Sequence, residues 1–511
     1  MKSKILIAAF TGALLFASCE DDFLDTVPTE FISSDQIDEA TKLNPGIQEG
    51  NIRGLYAGML STGTGGTTGH DDFGQKSWDI IMDMLSSDLV LSASNYGWYS
   101  NITELQATID YTSNSNYMPW RYYYRIILGA NKVIAGFGGA DAVPDSEEGK
   151  HNLGQALALR AHSYFNLANL YAEEYEPSTP ILPMYTTGEE LENQPLSTAK
   201  EVYDLIISDL THASSLLETF SRAHKNQINQ WVAKGILAYA YGAVGNYEQM
   251  KSVTNDIIKN SGFPILGIED VAREGTVSTN PKDEPIATGY QGFNDVSSPN
   301  WMWGADITLD NGLDLVSWWG QMDLFTYSYS WAGDPKSIDD NLYAAIREDD
   351  ERKQWFQEYE YYSDGVLYPI GKFCPPGALV AGGQRSIETD YVFMRIEEMY
   401  LLHAEASAKT GDEPAAIESL KALLSNRIED SGSYAYLDNL TGQALQNEIY
   451  LQTRIELWGE GKSYFAMKRN KATITRGANH LTYAGQSFEY NDDRLTLEIP
   501  QSEVQNNPNI N

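Results

Sequence analysis

The chain has few cysteines and few basic residues. The first shortage limits how its fold can be stabilised, and the second limits which ligands it can bind. Its 511 residues include two cysteines, Cys19 and Cys374, so a disulfide framework cannot hold the fold together. A chain of this length can bury a core large enough to fold without one. Only 35 residues are Lys or Arg against 71 Asp or Glu, a formal net charge of -36. This excess argues against binding to nucleic acid or to anionic membrane surfaces.

Long apolar runs are also scarce, with one exception near the start of the chain. Residues 5–17 follow Lys2 and Lys4 as an apolar run of 13 residues, broken only by Thr11 and Gly12. A helix needs about 20 residues to span a bilayer, so this run is instead typical of a secretory signal. No later segment is apolar enough to cross a membrane, so the sequence predicts a soluble mature domain.

The residues that follow the apolar run predict a lipid anchor. Phe16-Ala17-Ser18-Cys19 resembles a bacterial lipobox, in which the cysteine is acylated and becomes the new N-terminus. We therefore expect a signal peptide at residues 1–18, a lipidated N-terminus and tether at 19–45, and no intramolecular disulfide. An ordinary signal peptide with an incidental cysteine is the alternative. The acidic residues 20–22 resemble the export signal of Bacteroidetes lipoproteins, which implies a lipid-anchored protein on the outer face of the outer membrane.

Several catalytic and cofactor-binding patterns are missing. No glycine-rich loop ends in Lys-Ser or Lys-Thr, so nothing predicts a phosphate cradle. The seven histidines are scattered without metal-ligand spacing. Acidic residues at 339–340 and 349–351 could bind calcium, although a solvated acidic surface is the simpler interpretation. We expect no catalytic residues, no metal and no cofactor.

What the sequence does contain is helical periodicity. Residues 157–171 place apolar side chains on one stripe with a period near 3.6, and residues 201–217 form a second amphipathic helix. A helical pair around Trp231–Val244 and Ile257–Ile258 is broken at Gly245-Asn246. An alanine-rich helix also precedes Gly411. Small residues seven positions before a turn glycine are typical of tetratricopeptide repeats, so we expect a mostly α, helical-repeat scaffold.

The middle of the chain differs. Residues 262–385 are rich in Gly, Pro, Asn, Asp and aromatic residues, and helical signals return only at 338–358. We expect an insertion of long ordered loops and short strands, and function often lies on such loops. The glycine-rich stretch 61–72 is a further loop that we expect to face a ligand.

Four segments, in order, resemble one known family. They lie at Ala158–Leu167, Phe393–Ala406, Arg454–Phe465 and Leu497–Val504. Together with Cys19 and the start of the tether, they identify the chain as resembling the SusD/RagB family of Bacteroidetes outer-membrane lipoproteins. The charged motif residues Arg160, Glu405, Arg454 and Glu456 are expected to be structural, pairing with one another or capping helices.

The resemblance implies a SusD-like α-α superhelix formed by residues 46–511 as a single domain. It also implies a non-catalytic protein that binds glycans at the cell surface and delivers them to a SusC-like TonB-dependent transporter. Family members place the glycan site on an early loop and on the central insertion. A peptide-binding member, a glycoside hydrolase and a pure scaffold repeat protein remain alternatives.

Aromatic residues mark the expected site. Five of the eleven tryptophans fall between residues 301 and 331, and a second cluster spans 78–99. The flat C–H faces of a pyranose pack on aromatic rings, while its hydroxyl groups need amides and carboxylates. The predicted ligand-binding residues are Asp72, Trp78, Tyr96, Trp98, Tyr99, Asn101, Trp301, Trp303, Trp318, Trp319, Tyr329 and Trp331. Of the adjacent Trp318 and Trp319, we expect one to face ligand and the other the core.

Overall fold

α-Helices make up the largest part of the structure, a computed structural model that describes residues 46–188, 192–272, 293–359, 365–374 and 386–510. The expected signal peptide, Cys19 and the tether lie outside these residues, as do residues 375–376 of the insertion. Among the described residues, no helix is both long enough and apolar enough to cross a membrane.

The elements are numbered here in chain order. The α-helices are α1 (Ile47–Gly58), α2 (Gln75–Leu85), α3 (Ser100–Thr103), α4 (Asn114–Gly136), α5 (Glu147–Tyr171), α6 (Ala199–Leu216), α7 (Gln230–Ala243), α8 (Tyr247–Asn260), α9 (Trp318–Met322), α10 (Asp340–Ala345), α11 (Ile396–Lys409), α12 (Glu413–Leu424), α13 (Gly442–Glu456), α14 (Ser463–Asn470) and α15 (Gln501–Asn506). The strands are β1 (Leu89–Leu91), β2 (Pro180–Pro183), β3 (Leu196–Thr198), β4 (Trp301–Ala305), β5 (Lys336–Ile338), β6 (Gln357–Glu358), β7 (Leu367–Tyr368), β8 (Tyr391–Arg395), β9 (Ile474–Thr475) and β10 (Ser487–Phe488). Short 3₁₀ helices lie at Ala107–Ile109, Ile268–Asp270, Leu309–Asn311, Glu351–Trp355, Ser431–Asn439 and Asp493–Leu495.

The scaffold is a row of helices in which each packs on the next. Helix α4 packs on α5, α5 on α6, α6 on α7 and α7 on α8. The row then continues from α8 to α11, and α11 packs on both α12 and α13. Because neighbours in the row are mostly neighbours in sequence, this is the helical-repeat architecture that the periodicity predicts. The mostly α fold class is therefore confirmed.

Helix α5 is the centre of this scaffold. Every residue from Asn152 to Tyr171 is buried, so the helix is enclosed on all sides, beyond the single apolar stripe that its sequence indicates. Small side chains at Ala158, Ala161 and Ala168 let neighbouring helices approach closely. Ser146 caps the first turn by accepting a hydrogen bond from Gly149 N at 3.1 Å.

The turn between α7 and α8 lies where the sequence predicts it. Gly245 has a φ of +74°, a left-handed conformation that favours glycine. Asn246 then begins α8, and its side-chain oxygen accepts a hydrogen bond from Gln249 N at 3.3 Å. The corresponding turn before α12 has Gly411 at φ +82° and Asp412 as the cap.

The described part of the insertion contains short elements, as expected. Its strands form two-stranded antiparallel ladders with distant segments: β5 pairs with β1, placing Ile338 opposite Leu89, and β4 pairs with β8. The returning helical signal corresponds to α10 and the 3₁₀ helix at Glu351–Trp355. The ladder between β1 and β5 brings the loop after residue 91 beside the segment before residue 336. This juxtaposition positions the candidate site.

A buried network of charges joins the insertion to the C-terminal helices. We call it the ionic cluster; its cations are Arg352, Lys372, Arg395 and Arg427, and its carboxylates are Asp350, Glu397, Glu456 and Glu460. Four cations face four carboxylates, all with little or no solvent exposure.

Glu456 lies at the centre of the cluster. Its Oε1 accepts from Arg395 Nη1 at 2.6 Å and from Arg427 Nη2 at 2.7 Å, and its Oε2 accepts from Arg352 Nη1 at 3.1 Å. Despite burial, these guanidinium groups hold the pKa of the Glu456 carboxyl well below its usual range. The three guanidinium groups therefore favour the ionised form of this carboxyl.

The other charged motif residues are structural too, as predicted. Arg160 makes a two-pronged pair with Asp209, with both N–O distances at 2.8 Å. Glu405 forms a similar pair with Arg469. Arg454 donates to Asp88 Oδ1 at 2.6 Å.

We expect Glu456→Gln to lower the free energy of unfolding by about 3–5 kcal/mol, because it leaves three buried guanidinium groups without their shared counter-ion. Denaturant titration followed by circular dichroism measures this. The matched control is Glu49→Gln, which removes an exposed partner of Arg53 at 2.6 Å and should change stability little. Equal effects of the two substitutions would contradict a stabilising role for the cluster.

Candidate ligand-binding site

Most of the predicted ligand residues are buried, which corrects the prediction for them. Those with almost no solvent exposure are Asp72, Trp78, Tyr99, Trp301, Trp303, Trp318 and Trp319. A ring with no exposed face cannot stack on a sugar, and an enclosed carboxylate cannot bind its hydroxyl groups. Most of the aromatic residues in the insertion therefore pack in its core and do not face a ligand.

Trp301 and Trp303 lie on β4, which is buried on both faces. All five residues of this strand are buried, because it lies between β8 and the helical scaffold. Trp303 Nε1 donates to Asn226 O at 2.8 Å, and its ring packs edge-on against His162 at 5.1 Å. Both tryptophans are thus core residues.

The adjacent Trp318 and Trp319 are both in the core, so the expectation that one faces ligand is wrong. Their rings meet edge to face at 4.9 Å, and Trp318 also contacts Phe373 at 4.6 Å. Trp319 Nε1 donates to Thr389 O at 2.9 Å. Trp78, on the fully buried α2, packs against Tyr122 at 5.7 Å.

Asp72 stabilises the conformation of the glycine-rich loop. Its carboxylate accepts hydrogen bonds from Gly65 N at 2.8 Å, from Thr67 N at 2.9 Å and from Thr67 Oγ1 at 3.0 Å. These bonds fold residues 61–72 into a tight loop, because a carboxylate satisfies several backbone donors at once.

Tyr99 and Asn101 also hold local structure. The Tyr99 hydroxyl lies 3.0 Å from Ser77 Oγ beneath the loops, and burial raises its pKa well above the usual value. Asn101 is half-buried, and its Nδ2 donates to Ser115 Oγ at 2.9 Å. Its Oδ1 accepts from Ile102 N, so both ends of the amide are engaged within the fold.

Three of the remaining residues form a surface cluster with a histidine, which we call the aromatic platform: His70, Tyr96, Trp98 and Tyr329. The rings of His70 and Trp98 are stacked at 5.2 Å with an interplanar angle of 2°. Tyr329 meets Trp98 edge-on at 5.9 Å and Tyr96 at 5.3 Å. Tyr96 is 60% exposed and Trp98 is partly exposed, whereas Tyr329 is 6% exposed and supports the others from below.

The platform unites the two aromatic regions that the sequence singles out. Tyr96 and Trp98 come from the loop after β1, Tyr329 comes from the insertion, and His70 lies near the end of the glycine-rich loop. Tyr329 Oη and His70 Nδ1 lie 2.6 Å apart and share a hydrogen bond. Three loops distant in sequence are thereby joined at one exposed surface.

Asp334 fixes the backbone of the loop that carries Tyr96. Its buried carboxylate accepts from Tyr96 N at 3.0 Å and also from Asn95 N. The neighbouring Gly333 has a φ of +108°, and a Cβ there would lie 2.0 Å from Asn95 Nδ2. A side chain there would have to adopt this strained backbone conformation and push the exposed Asn95 side chain aside, so the position favours glycine.

The glycine-rich loop, which carries His70, is anchored through Gln321. Its Nε2 donates to His70 O at 2.9 Å, and its Oε1 accepts from Lys336 Nζ at 3.0 Å. Burial lowers the pKa of Lys336 to about 7. The platform therefore rests on polar contacts below it and is organised before any ligand arrives.

Asp71 provides a polar group beside the rings. It adjoins His70 in sequence and is half-buried. Burial, with a smaller contribution from the charge of Asp72, raises the pKa of its carboxyl to about 6. This carboxyl therefore keeps its proton to a higher pH than an exposed aspartate does.

Trp331 stands apart from the platform. Its ring lies 5.6 Å from that of Tyr327, which is 37% exposed. It packs on a small separate core that includes Leu324 and the buried Cys374. Trp331 as a ligand contact remains a prediction.

Sequence reasoning missed three residues of this site: His70, Gly333 and Asp334. His70 was one of several scattered histidines, although its place at the end of a glycine-rich loop was an available signal. Gly333-Asp334 precedes Pro335, a turn pattern that could have marked the loop. Their partner Asn95 lies more than 200 positions away, which no local pattern reveals.

The acidic segments considered for calcium are engaged otherwise. Asp339 accepts from Gly477 N at 2.6 Å and from Leu342 N at 3.0 Å. Asp349 pairs with Arg347, and Asp350 belongs to the ionic cluster. Within the described ranges, no group of three or more His, Cys, Asp or Glu is arranged to hold a metal ion.

Comparison with protein families gives two matches. Residues 73–241 match a family model described as starch-binding, associating with the outer membrane. Residues 366–511 match the model of the SusD family. Together the two matches cover more than half of the chain.

Similar individual proteins carry the same family name. A SusD-like protein of Bacteroides ovatus is 26% identical over 280 residues, 52% of this chain and 46% of that relative, so the match spans less than half the relative's length. SusD-like protein P2 of Formosa agariphila is 26% identical over 411 residues, 76% of this chain and 78% of that protein.

Solved structures show the same fold. A SusD-like carbohydrate-binding protein of Bacteroides vulgatus superposes with a TM-score of 0.72 at 25% identity, over 91% of this chain and 97% of that one. Surface glycan-binding protein A of Bacteroides uniformis has a TM-score of 0.62 at 16% identity, over 92% and 99% of the two chains. At the latter identity the likeness concerns the fold alone.

The segment that carries Tyr329 contains a buried carboxyl with a testable pH dependence. Asp323 Oδ1 accepts from Thr326 Oγ1 at 2.7 Å, its Oδ2 has no partner among the described residues, and burial raises its pKa from 3.8 to about 7. The folded state then holds a proton that the unfolded state releases, so this group's contribution to stability falls as pH rises from about 4 to 7.

We expect Asp323→Asn to reduce the loss of stability between pH 4.5 and pH 8 by about 2–4 kcal/mol, since the amide does not titrate. Denaturant titrations at several pH values measure this difference. Asp438→Asn, at an exposed partner of Lys421, is the control and should leave the profile unchanged. A profile that is the same in wild type and Asp323→Asn would contradict the assignment.

Proposed function

This chain belongs to the SusD family, and from that premise we propose that it binds glycans at the aromatic platform without cleaving them. The observation that carries the proposal is the joining of His70, Tyr96, Trp98 and Tyr329 at an exposed surface. Sugar rings stack their C–H faces on such aromatic groups. The name of the related carbohydrate-binding structure supports the same ligand class.

Polar groups beside the rings suit the hydroxyl groups of a sugar. Asp71 is half-buried next to His70, and Asn95 is an exposed amide next to Tyr96. The Nδ1 of His70 bonds Tyr329, and its Nε2 has no hydrogen-bond partner among the described residues. An amide, a carboxyl and an imidazole nitrogen thus surround the rings, and they provide both donors and acceptors.

The rigidity of the loops favours binding. Asp72 holds the glycine-rich loop and Asp334 holds the loop of Tyr96, so both loops are ordered by contacts inside the protein. A ligand then binds without the entropic cost of ordering them.

The carboxylates near the platform support binding rather than hydrolysis. Most glycosidases place two carboxyl groups about 5–9 Å apart on either side of the scissile bond. In the segments that carry the platform, Asp72, Asp323 and Asp334 are buried, and Asp72 and Asp334 are bonded to backbone amides. Among the described residues of these segments, Asp71 is the partly accessible carboxyl, and one such group does not make this pair.

We further propose that the protein delivers its glycan to a SusC-like TonB-dependent transporter of the outer membrane. Lipid on Cys19 would hold it at the cell surface, and residues 20–45 would act as a tether that lets it move against the transporter. Residues 46–511 would then form one domain, with the ligand site partly on the insertion at 262–385. The family description of association with the outer membrane supports this arrangement.

We expect Trp98→Ala and Tyr96→Ala each to weaken glycan binding about tenfold or more, because each removes an exposed stacking ring. Affinity electrophoresis against a panel of polysaccharides identifies the ligand, and calorimetry measures the change. Tyr111→Ala, at a tyrosine that is 39% exposed and outside the platform, is the matched control.

Two results would overturn the proposal for this site. One is unchanged binding in Trp98→Ala and Tyr96→Ala to a glycan that retards the wild type. The other is release of reducing ends from that glycan by the purified protein, which would establish a hydrolase.

We expect Cys19→Ala to move the protein from the outer-membrane fraction to the soluble fraction, because acyl chains provide its membrane affinity. Fractionation and surface proteolysis of whole cells measure this. Cys374→Ala is the control, since that cysteine is buried in the fold. Retention of the Cys19→Ala protein in the membrane would exclude lipid on Cys19 as the anchor.

A further inference from the structure

A second surface groove lies along α4, next to the glycine-rich loop. We call it the arginine groove; its lining includes Tyr117, Arg121, Tyr124, Arg125, Leu128 and Tyr185. Its volume is about 490 Å³, within the usual range of small-molecule sites. Leu128 is 49% exposed, so the groove presents apolar surface as well as charge to solvent.

Both arginines of the groove donate hydrogen bonds to neutral partners. Arg121 Nη1 donates to Tyr117 Oη at 3.3 Å, and Arg125 Nη1 donates to Thr64 O at 3.1 Å. No carboxylate of the described residues lies within 4.0 Å of either guanidinium. Glu503 also lines the groove, but its Oε1 accepts from Asn507 Nδ2 instead. Both guanidinium groups therefore keep N–H donors for a ligand.

The floor of the groove is aromatic and fixed. Tyr124 and Tyr185 meet edge-on at 5.8 Å, and Tyr124 Oη donates to Pro183 O at 2.8 Å. Tyr185 N donates to Tyr164 Oη at 2.7 Å. Rings beneath two guanidinium groups match the two parts of an acidic sugar, which has an apolar ring face and an anionic substituent.

The arginine groove and the aromatic platform share the glycine-rich loop. A Cβ at Gly66 would lie 2.4 Å from Arg121 Cδ, so that side chain rests directly on the loop. Three residues later, a Cβ at Gly69 would lie 3.5 Å from the Trp98 ring. Three residues span at most about 11 Å. A glycan chain of a few sugars is therefore long enough to span the distance between the two contacts.

From this arrangement we infer that the ligand is an anionic glycan, whose carboxylate or sulfate groups bind Arg121 and Arg125 while neighbouring sugars stack on the platform. The inference rests on the proposed function and specifies its substrate class. The net charge of -36 repels an anionic ligand at long range, but this repulsion is screened beyond about 8 Å at physiological salt, so at contact the local charge of the groove matters most. Paired donors on planar guanidinium groups suit both carboxylate and sulfate oxygens.

The test uses two pairs of probes: polygalacturonate with its methyl-esterified form, and carrageenan with its desulfated form. We expect wild type to be retarded by at least one anionic member in affinity electrophoresis, and less by its neutral counterpart. The double variant Arg121→Gln/Arg125→Gln should lose at least about tenfold in affinity. Raising NaCl should weaken binding by wild type more than by the double variant.

Controls separate charge and folding from the groove itself. Arg53→Gln removes one positive charge at an exposed position on α1 and should leave binding unchanged. Because Arg125 also holds Thr64 O, the single variant Arg121→Gln is measured beside the double variant, and circular dichroism verifies that both fold. We expect the single variant to show a salt-dependent loss as well.

Distinct outcomes overturn the two proposals. Retardation by neutral glycans alone, lost in Trp98→Ala but unchanged in the arginine variants, would overturn the anionic class and leave the proposed function standing. Equal binding of an anionic glycan by wild type and the double variant would also overturn it. So would a dimer in light scattering that the double variant abolishes, because a second copy of this chain would then occupy the groove. Anionic binding that depends on the arginines but not on Trp98 would overturn the platform instead.

Discussion

The carboxylate of Glu456, held by three guanidinium groups, is the constraint on which the arrangement of the molecule depends. Arg352 reaches it from the insertion, Arg395 from the end of β8 and Arg427 from the turn after α12. A buried charge that loses its partners is far more costly than a lost apolar contact. Packings that displace any of these segments are therefore disfavoured, and the insertion is held in one position on the scaffold. The platform forms only when the insertion lies beside the loop after β1. The ionic cluster therefore also fixes the geometry of the platform.

Much of the scaffold could be predicted from the sequence, because helices reveal themselves locally. The spacing of apolar residues in α5 and α6, and the glycine turn at Gly245, all depend on neighbours within a few positions. Arg160 and Glu405 lie on apolar helices, so each could be expected to form an ion pair inside the fold. The residue with which each one pairs could not be predicted. Asp209 lies 49 positions from Arg160, and nothing local indicates it.

The candidate site was harder to predict, because an aromatic residue reads the same in sequence whether it faces solvent or core. Trp301 and Trp303 lie two positions apart on β4, across a shift in the ladder register, and every residue of that strand is buried. Helix α9, with only five residues, is enclosed so fully that Trp318 and Trp319 both point into the core. Burial of these rings is decided by the long-range ladders of the insertion. Trp98 is flanked in sequence by Ser, Asn and Gly, and these polar neighbours made it a better candidate for an exposed ligand contact.

The residues that shape the platform loops are different from those that a ligand would touch. Asp72 and Asp334 act on backbone amides from buried positions, whereas Tyr96 and Trp98 are displayed at the surface. Exposed positions of this kind usually accept substitution within about 0.5 kcal/mol. Descendants of such a chain can therefore exchange the displayed rings one at a time while the loops keep their form. A change of ligand preference then takes few mutations and costs little folding stability. Related proteins can therefore acquire new specificities without becoming unstable.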